Sequence, residues 1–264
     1  MIKINFAKSN WDIIKQQANE HLDELGRKND GFFSAMMFGA EPYTVEADGE
    51  TVGFCSLADG WDGGKMLTSF YIAPEKRRCS ADALEGAIGV FGVTAALVAS
   101  NDGHFVALAF EKMKALGTTF EMQAYNHVYG KPERSPEFGR NKLFEVVPEE
   151  FDTMNALTEK QWEGCFGKPG FSFYAIRENG ETLGYGAVER LTFEENKADI
   201  GNFTLPEHRR RGVGRSMLIN LAEIAVEQGL TPVAGCWYKN SESIPTLVSS
   251  GFIPENRLFY VKFI

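Results

Sequence analysis

Two short phrases occur twice in this chain, in the same order and at almost the same distance. Glu50-Thr51-Val52-Gly53-Phe54 returns as Glu181-Thr182-Leu183-Gly184-Tyr185 after 131 residues, and Pro74-Glu75-Lys76-Arg77-Arg78 returns as Pro206-Glu207-His208-Arg209-Arg210 after 132. A duplicated module accounts for such a pattern, and its length of about 130 residues is ordinary for a domain. The boundary is expected near Lys131 to Arg140, where Pro132, Pro136 and Gly139 interrupt any regular pattern. The expected domains are residues 1–135 and 141–264.

Local patterns agree in both halves. Ala47-Asp48-Gly49, and later Glu178-Asn179-Gly180-Glu181, each lie between strand-like runs and read as hairpin turns. Met66 to Ala73 and Asp199 to Leu205 read as the next strands, and Ala81 to Phe91 and Gly214 to Gln228 as helices. Short strands follow at Ala95 to Ala99 and Pro232 to Tyr238, then helices at His104 to Leu116 and Ser243 to Ser250, with a last strand at Leu258 to Ile264. Phe144 to Val147 and Glu149 to Leu157 supply a strand and a helix that open the second copy.

The segment Pro206 to Arg215 carries the chemistry. It joins an apolar strand to a helix through a glycine-bearing turn with four arginines. Such a turn leaves backbone N–H groups pointing outward, and the helix dipole adds positive potential, so the turn suits a phosphate. Glycine permits positive φ and close approach of the anion. The spacing has neither the Gly-Lys-Ser/Thr ending of a P-loop nor the Gly-x-Gly-x-x-Gly of a dinucleotide fold.

The whole chain narrows the partners. Its net charge of −9 argues against nucleic acid, whose binding needs a basic face. The cysteines Cys55, Cys79, Cys165 and Cys236 form no C-x-x-C pair, and His104, His127 and His208 have no metal spacing, so no metal is expected. No apolar run reaches the roughly 18 to 20 residues of a spanning helix, and the N-terminus lacks an apolar signal core. A cytoplasmic protein without a membrane partner, monomeric or homodimeric, is expected. Cys236 and the pairs Phe32-Phe33 and Phe259-Tyr260 read as core, and Trp61-Asp62-Gly63-Gly64 as a turn between strands.

Two motifs together resemble the GNAT acetyltransferase superfamily. One is Arg209-Arg210-Arg211-Gly212-Val213-Gly214 with its Pro206-Glu207-His208 lead-in, which is similar to that family's phosphate loop. The other is Asn240, Ser243 and Gly251-Phe252 around a short helix. The resemblance is clear over about residues 142–264. The first half resembles the same fold with an eroded loop, Arg77-Arg78-Cys79-Ser80-Ala81-Asp82, where an aspartate stands in place of Gly214. The implied architecture is α/β, two tandem modules, each with a mixed, mostly antiparallel sheet flanked by helices. The first module is the degenerate one.

The resemblance implies acetyl-CoA as co-substrate and an amine of a small molecule or peptide as acceptor. Arg209, Arg210, Arg211, Gly212, Val213, Gly214 and Arg215 would hold the diphosphate. The backbone of Phe203, Thr204 and Leu205 would meet the pantetheine arm between two splayed strands, and Asn240 of the second motif would also bind the cofactor. An alkylamine is almost all ammonium at neutral pH, so a base is required; Asp199 and Glu189 are the candidates. Many members place a tyrosine acid where this chain has Leu247, and Tyr238, Ser243 and Ser249 are the substitutes nearby. A protein that binds coenzyme A without turnover is the alternative.

Overall fold

The computed structural model describes residues 2–116 and 120–263. The chain forms two compact units, Met1–Tyr125 with Asn256–Ile264, and Asn126–Glu255.

The first unit begins with β1 (Ile4–Lys8), α1 (Lys15–Glu24) and α2 (Gly31–Phe38). Strands β2 (Glu41–Ala47), β3 (Glu50–Asp59) and β4 (Lys65–Ile72) follow, then α3 (Ser80–Phe91), β5 (Val93–Ala99) and α4 (Gly103–Leu116). Strand β6 (Phe120–Tyr129) carries the chain into the second unit. There β7 (Leu143–Glu145), α5 (Phe151–Leu157), β8 (Phe171–Glu178), β9 (Glu181–Arg190) and β10 (Lys197–Thr204) precede α6 (Val213–Glu227), β11 (Thr231–Trp237) and α7 (Ser243–Ser249). Strand β12 (Phe252–Lys262) ends the fold.

Strand order is β1-β2-β3-β4-β5-β12 in the first unit and β7-β8-β9-β10-β11 in the second. Pairing is antiparallel except at β4–β5 and β10–β11. Both units therefore have the mixed, mostly antiparallel sheet with flanking helices.

The two repeated phrases have structural reasons. Both hairpins turn on left-handed pairs, Asp48 and Gly49 with φ of 50° and 89°, and Asn179 and Gly180 with φ of 52° and 83°. Only short polar residues and glycine adopt that conformation readily. A bulge precedes each turn, at Val45/Glu46 and at Ile176/Arg177. Beside each bulge a glycine lets the next strand in: a Cβ on Gly53 would strike the Tyr71 carbonyl, and one on Gly184 would sit 2.7 Å from the Phe203 carbonyl. The second phrase ties the turn after β4, and after β10, back to the hairpin of its unit. Lys76 pairs with Glu50 at 2.7 Å, and His208 approaches Glu181 at 3.3 Å.

In the first unit, Leu258 and Tyr260 join the core with Phe54, Met66, Tyr71 and Leu97, and Val261 and Phe263 join Leu67, Val98 and Phe105. The last strand thus contributes to both sides of that sheet, running antiparallel to β5. It begins at Phe252, earlier than the expected Leu258, and the expected end at Ile264 lies outside the described residues. Phe32 is exposed, contrary to the expectation for the Phe32-Phe33 pair, and Phe33 is buried. Neighbouring helix positions point about 100° apart, so only one of the two can face the sheet. Trp61 to Gly64 forms the expected turn; there Tyr260 donates its hydroxyl to Asp62 at 2.7 Å.

Gly53→Ala and Gly184→Ala should each lower stability by about 1–3 kcal/mol through overpacking against backbone that cannot yield. Gly49→Ala, which has open space at its Cβ, should cost only the left-handed strain of about 1–2 kcal/mol. Urea midpoints of the three variants test this ranking.

Candidate active site

Strands β10 and β11 run parallel but pair at only three positions, Lys197 with Thr231, Ala198 with Pro232 and Asp199 with Val233. Beyond Asp199 they part, although β10 continues to Thr204 and β11 to Trp237. On its other side β10 stays paired with β9 as far as Thr204 opposite Gly184. One edge of Ile200 to Thr204 therefore faces a gap between two strands of the same sheet. Backbone polar groups along such an edge call for partners. Phe203, Thr204 and Leu205 sit at its far end, where Leu205 N–H is already held by the Leu183 carbonyl at 3.1 Å.

The chain then turns into α6. Pro206–His208 makes one short 3-10 turn, Arg209 is extended, Arg210 has φ of 65° and Gly212, the residue before the helix, has φ of 79°. The left-handed turn points the first amides of α6 outward. Among the described residues, no protein oxygen accepts from the N–H groups of Arg210 to Arg215. The first internal bond at this end is Ser216 N–H to the Gly212 carbonyl at 2.9 Å. The row of amides lies at the positive end of a 15-residue helix. Gly214 is needed for packing, since a Cβ there would meet Asn202 Nδ2 and Thr204 Oγ1 at 3.1 Å. Gly186 lets the helix lie close on the sheet, because a Cβ would run into Met217 and Leu221.

The arginines are partly engaged. Arg209 reaches the Thr204 carbonyl at 3.5 Å and Glu242 at 3.9 Å. Arg211 donates to His208 Nδ1 at 2.9 Å, which requires the lone pair on that nitrogen. Arg215 pairs with Glu137. Arg210 is exposed and, among the described residues, has no protein partner. Asn240 is used locally: its Oδ1 accepts from Ser243 N–H at 3.0 Å, closing the turn before α7. Leu247 is buried within α7, and Ser249 Oγ donates to the Thr246 carbonyl at 3.0 Å.

The two candidate bases are cross-strand partners, Asp199 on β10 opposite Glu189 on β9. Their side chains share one face. It is the face of Gly201, whose Cβ position lies 3.5 Å from the Trp162 ring, and not the face covered by α6. Burial pushes the Glu189 carboxyl above its ordinary value of 4.5, with Lys168 opposing in part. A raised carboxyl is the better proton acceptor near neutral pH.

The corresponding turn of the first unit differs. Pro74–Cys79 forms a 3-10 turn that runs straight into α3, and no residue between Gly64 and Gly92 has positive φ. Cys79 Sγ donates to the Lys76 carbonyl at 3.1 Å, and Ser80 Oγ lies 2.8 Å from His104 Nε2. The outward row of amides is a property of the second unit.

Among the described residues, no helix is long and apolar enough to cross a membrane, and no group of three or more His, Cys, Asp or Glu could hold a metal. The sequence pattern missed Glu137, Ser216 and Trp162. Glu137 and Trp162 lie on segments without periodicity, and nothing local marks what they touch.

Known proteins share this architecture. Residues 135–252 match the acetyltransferase (GNAT) family, and residues 10–127 match a second acetyltransferase (GNAT) domain. No curated protein sequence matches the chain. Among solved structures, an acetyltransferase from the GNAT family of Colwellia psychrerythraea is 20% identical, with 99% of this chain and 100% of that chain covered and a TM-score of 0.77. A tandem GNAT protein from the clavulanic acid biosynthesis pathway is 16% identical, with 98% of each chain covered and a TM-score of 0.63. A GCN5-related N-acetyltransferase from Sphaerobacter thermophilus is 13% identical, with 98% and 95% covered and a TM-score of 0.63. At such identities the structures speak for the fold, and the two family matches, which together span most of the chain, speak for descent. The chain belongs to the GNAT acetyltransferase family, with two GNAT domains in tandem.

Proposed function

We propose that the second unit binds acetyl-CoA and transfers its acetyl group directly to a primary amine of a small molecule or peptide. Membership of the family implies acetyl transfer from acetyl-CoA. The observation that carries the site is the run of amides from Arg210 to Arg215 left without protein acceptors beside the gap between β10 and β11. Those amides, with Arg210 exposed beside them, fit a diphosphate. The open edge of Ile200 to Thr204 fits an amide-bearing arm that lies between the strands as an added one. A backbone N–H there would polarise the thioester carbonyl. The gap ends at Asp199, so the acyl end of the arm would arrive at the Asp199–Glu189 pair. Two carboxylates there attract an ammonium and can take its proton before attack on the thioester. The division of the sequence into modules 1–135 and 141–264 is part of this reading, with the first module acting without the diphosphate turn and residues 256–264 of the second packing in the first compact unit.

One observation favours a second reading, coenzyme A binding without turnover. Leu247 is buried in α7, where a tyrosine acid would stand. A thiolate leaves tolerably without an acid because thiols ionise near pH 8.5, so transfer is retained as the main reading. Thiol release from acetyl-CoA with a panel of amines separates the two.

Gly212→Asp should weaken coenzyme A binding by at least about tenfold, or 1.4 kcal/mol, because it adds an anion at the seat and its Cβ, at a left-handed position, displaces the Glu137 carboxylate and distorts the turn. The circular dichroism spectrum should stay native. Unchanged affinity by calorimetry would remove the seat from the proposal.

The pH dependence follows from the raised carboxyl of Glu189. The acid limb of kcat/KM should lie above 4.5, and Glu189→Gln should abolish it while Asp199→Asn shifts it. The reverse outcome would make Asp199 the base. The same shift has a stability sign. Folded Glu189 holds its proton more tightly than the unfolded chain does, so its contribution is present below 4.5 and is lost as pH rises through the higher folded value. Glu189→Gln should therefore raise the melting temperature at pH 7.

A further inference from the structure

The flank of the proposed diphosphate seat is already in contact with an anion from the protein itself. Glu137 lies against Gly212, where a Cβ would collide with its carboxylate. Arg215 meets that carboxylate with both Nε, at 3.2 Å to Oε2, and Nη2. This is the two-pronged fit that guanidinium makes with carboxylate or phosphate. Ser216 Oγ–H adds a contact to Oε2 at 3.4 Å.

The segment that carries Glu137 is fastened to α6. Phe138 N–H donates to Ser216 Oγ at 3.1 Å, and Asn220 Nδ2 donates to the Phe138 carbonyl at 2.8 Å. Arg140 donates to the Asn220 carbonyl at 3.0 Å and pairs with Glu227 at 2.9 Å. Glu137 is thereby anchored beside the first turn of the helix. Gly212 thus provides a left-handed turn and also room for this side chain.

We propose that Glu137 is an affinity-setting residue of the donor site: its carboxylate holds Arg215 when no donor is bound and competes with the donor's diphosphate for it. The inference rests on the donor-site reading above. A diphosphate beside the first turn of α6 brings negative charge next to the Glu137 carboxylate, and one guanidinium fork cannot serve both anions in the same geometry. Binding must therefore break or share the Glu137–Arg215 pair, which lowers affinity for the donor and speeds release of coenzyme A. Glu137 acts through Arg215 and touches no reacting atom, so it tunes binding and not the acyl-transfer step.

The test is calorimetric titration of the full chain with coenzyme A, wild type against Glu137→Gln, at low salt and at about 0.5 M NaCl, where the screening length falls well below 10 Å. Glutamine keeps the shape and removes the charge. The variant should bind about three- to fivefold tighter at low salt, the order expected for one half-exposed competing ion pair. The gap should narrow at high salt. KM for acetyl-CoA should fall while the single-turnover rate stays unchanged. Glu137→Ala should show the same direction, which guards against a folding defect peculiar to one variant. Equal or weaker binding by both variants overturns the inference and leaves the donor site standing, with Glu137 only steadying Arg215. A wild type that takes up no coenzyme A overturns the donor-site reading and this inference together.

Discussion

The second unit is organised around two parallel strands that stop pairing after three positions. A sheet normally consumes its backbone hydrogen-bonding groups internally. Here β10 and β11 separate beyond Asp199 and Val233, and the turn that follows β10 leaves further amides unclaimed at the start of α6. The glycines around this region serve the same end. Gly184 lets β9 lie close to β10, Gly186 lets α6 lie close on β9, Gly214 fits α6 against Asn202 and Thr204, and Gly212 turns the chain so that its amides face outward. The packing that seats α6 on β9 and β10 is thus also what places the amides.

Much of this was legible in the sequence because the signals are local. The hairpins needed Asp48-Gly49 and Asn179-Gly180 at left-handed positions, and those dipeptides are strong markers. The Arg209 to Gly214 motif was visible because a phosphate turn must combine glycine, helix start and preceding strand within ten residues. The repeat was visible for a related reason. Gly53 and Gly184 are pinned by the same backbone approach, and Lys76 and His208 by the same tie to a hairpin glutamate.

What escaped is what depends on distant contacts. Helix α1 buries Ala18 and Leu22, between Ile14 and Leu25, a readable spacing diluted by charged neighbours. Strand β6 carries Gln123, Asn126 and His127 at buried positions, so no apolar alternation marks it. Helix α2 is apolar nearly all round, which hides the side that faces the sheet and led Phe32 to be placed inside. Glu137 lies 78 residues before the guanidinium it meets. Its chemistry exists only once the intervening strands have brought the two together.

The placement of β12 also governs how the molecule is made. The ribosome delivers a chain from its first residue onward, yet the first unit draws core side chains from Leu258 to Phe263. More than a hundred residues separate these from β5, their antiparallel neighbour. Closing a loop of that size is entropically costly and slow, and β5 presents an unpaired edge until it happens. During synthesis the core of the first unit therefore stays incomplete until Leu258 to Phe263 have emerged.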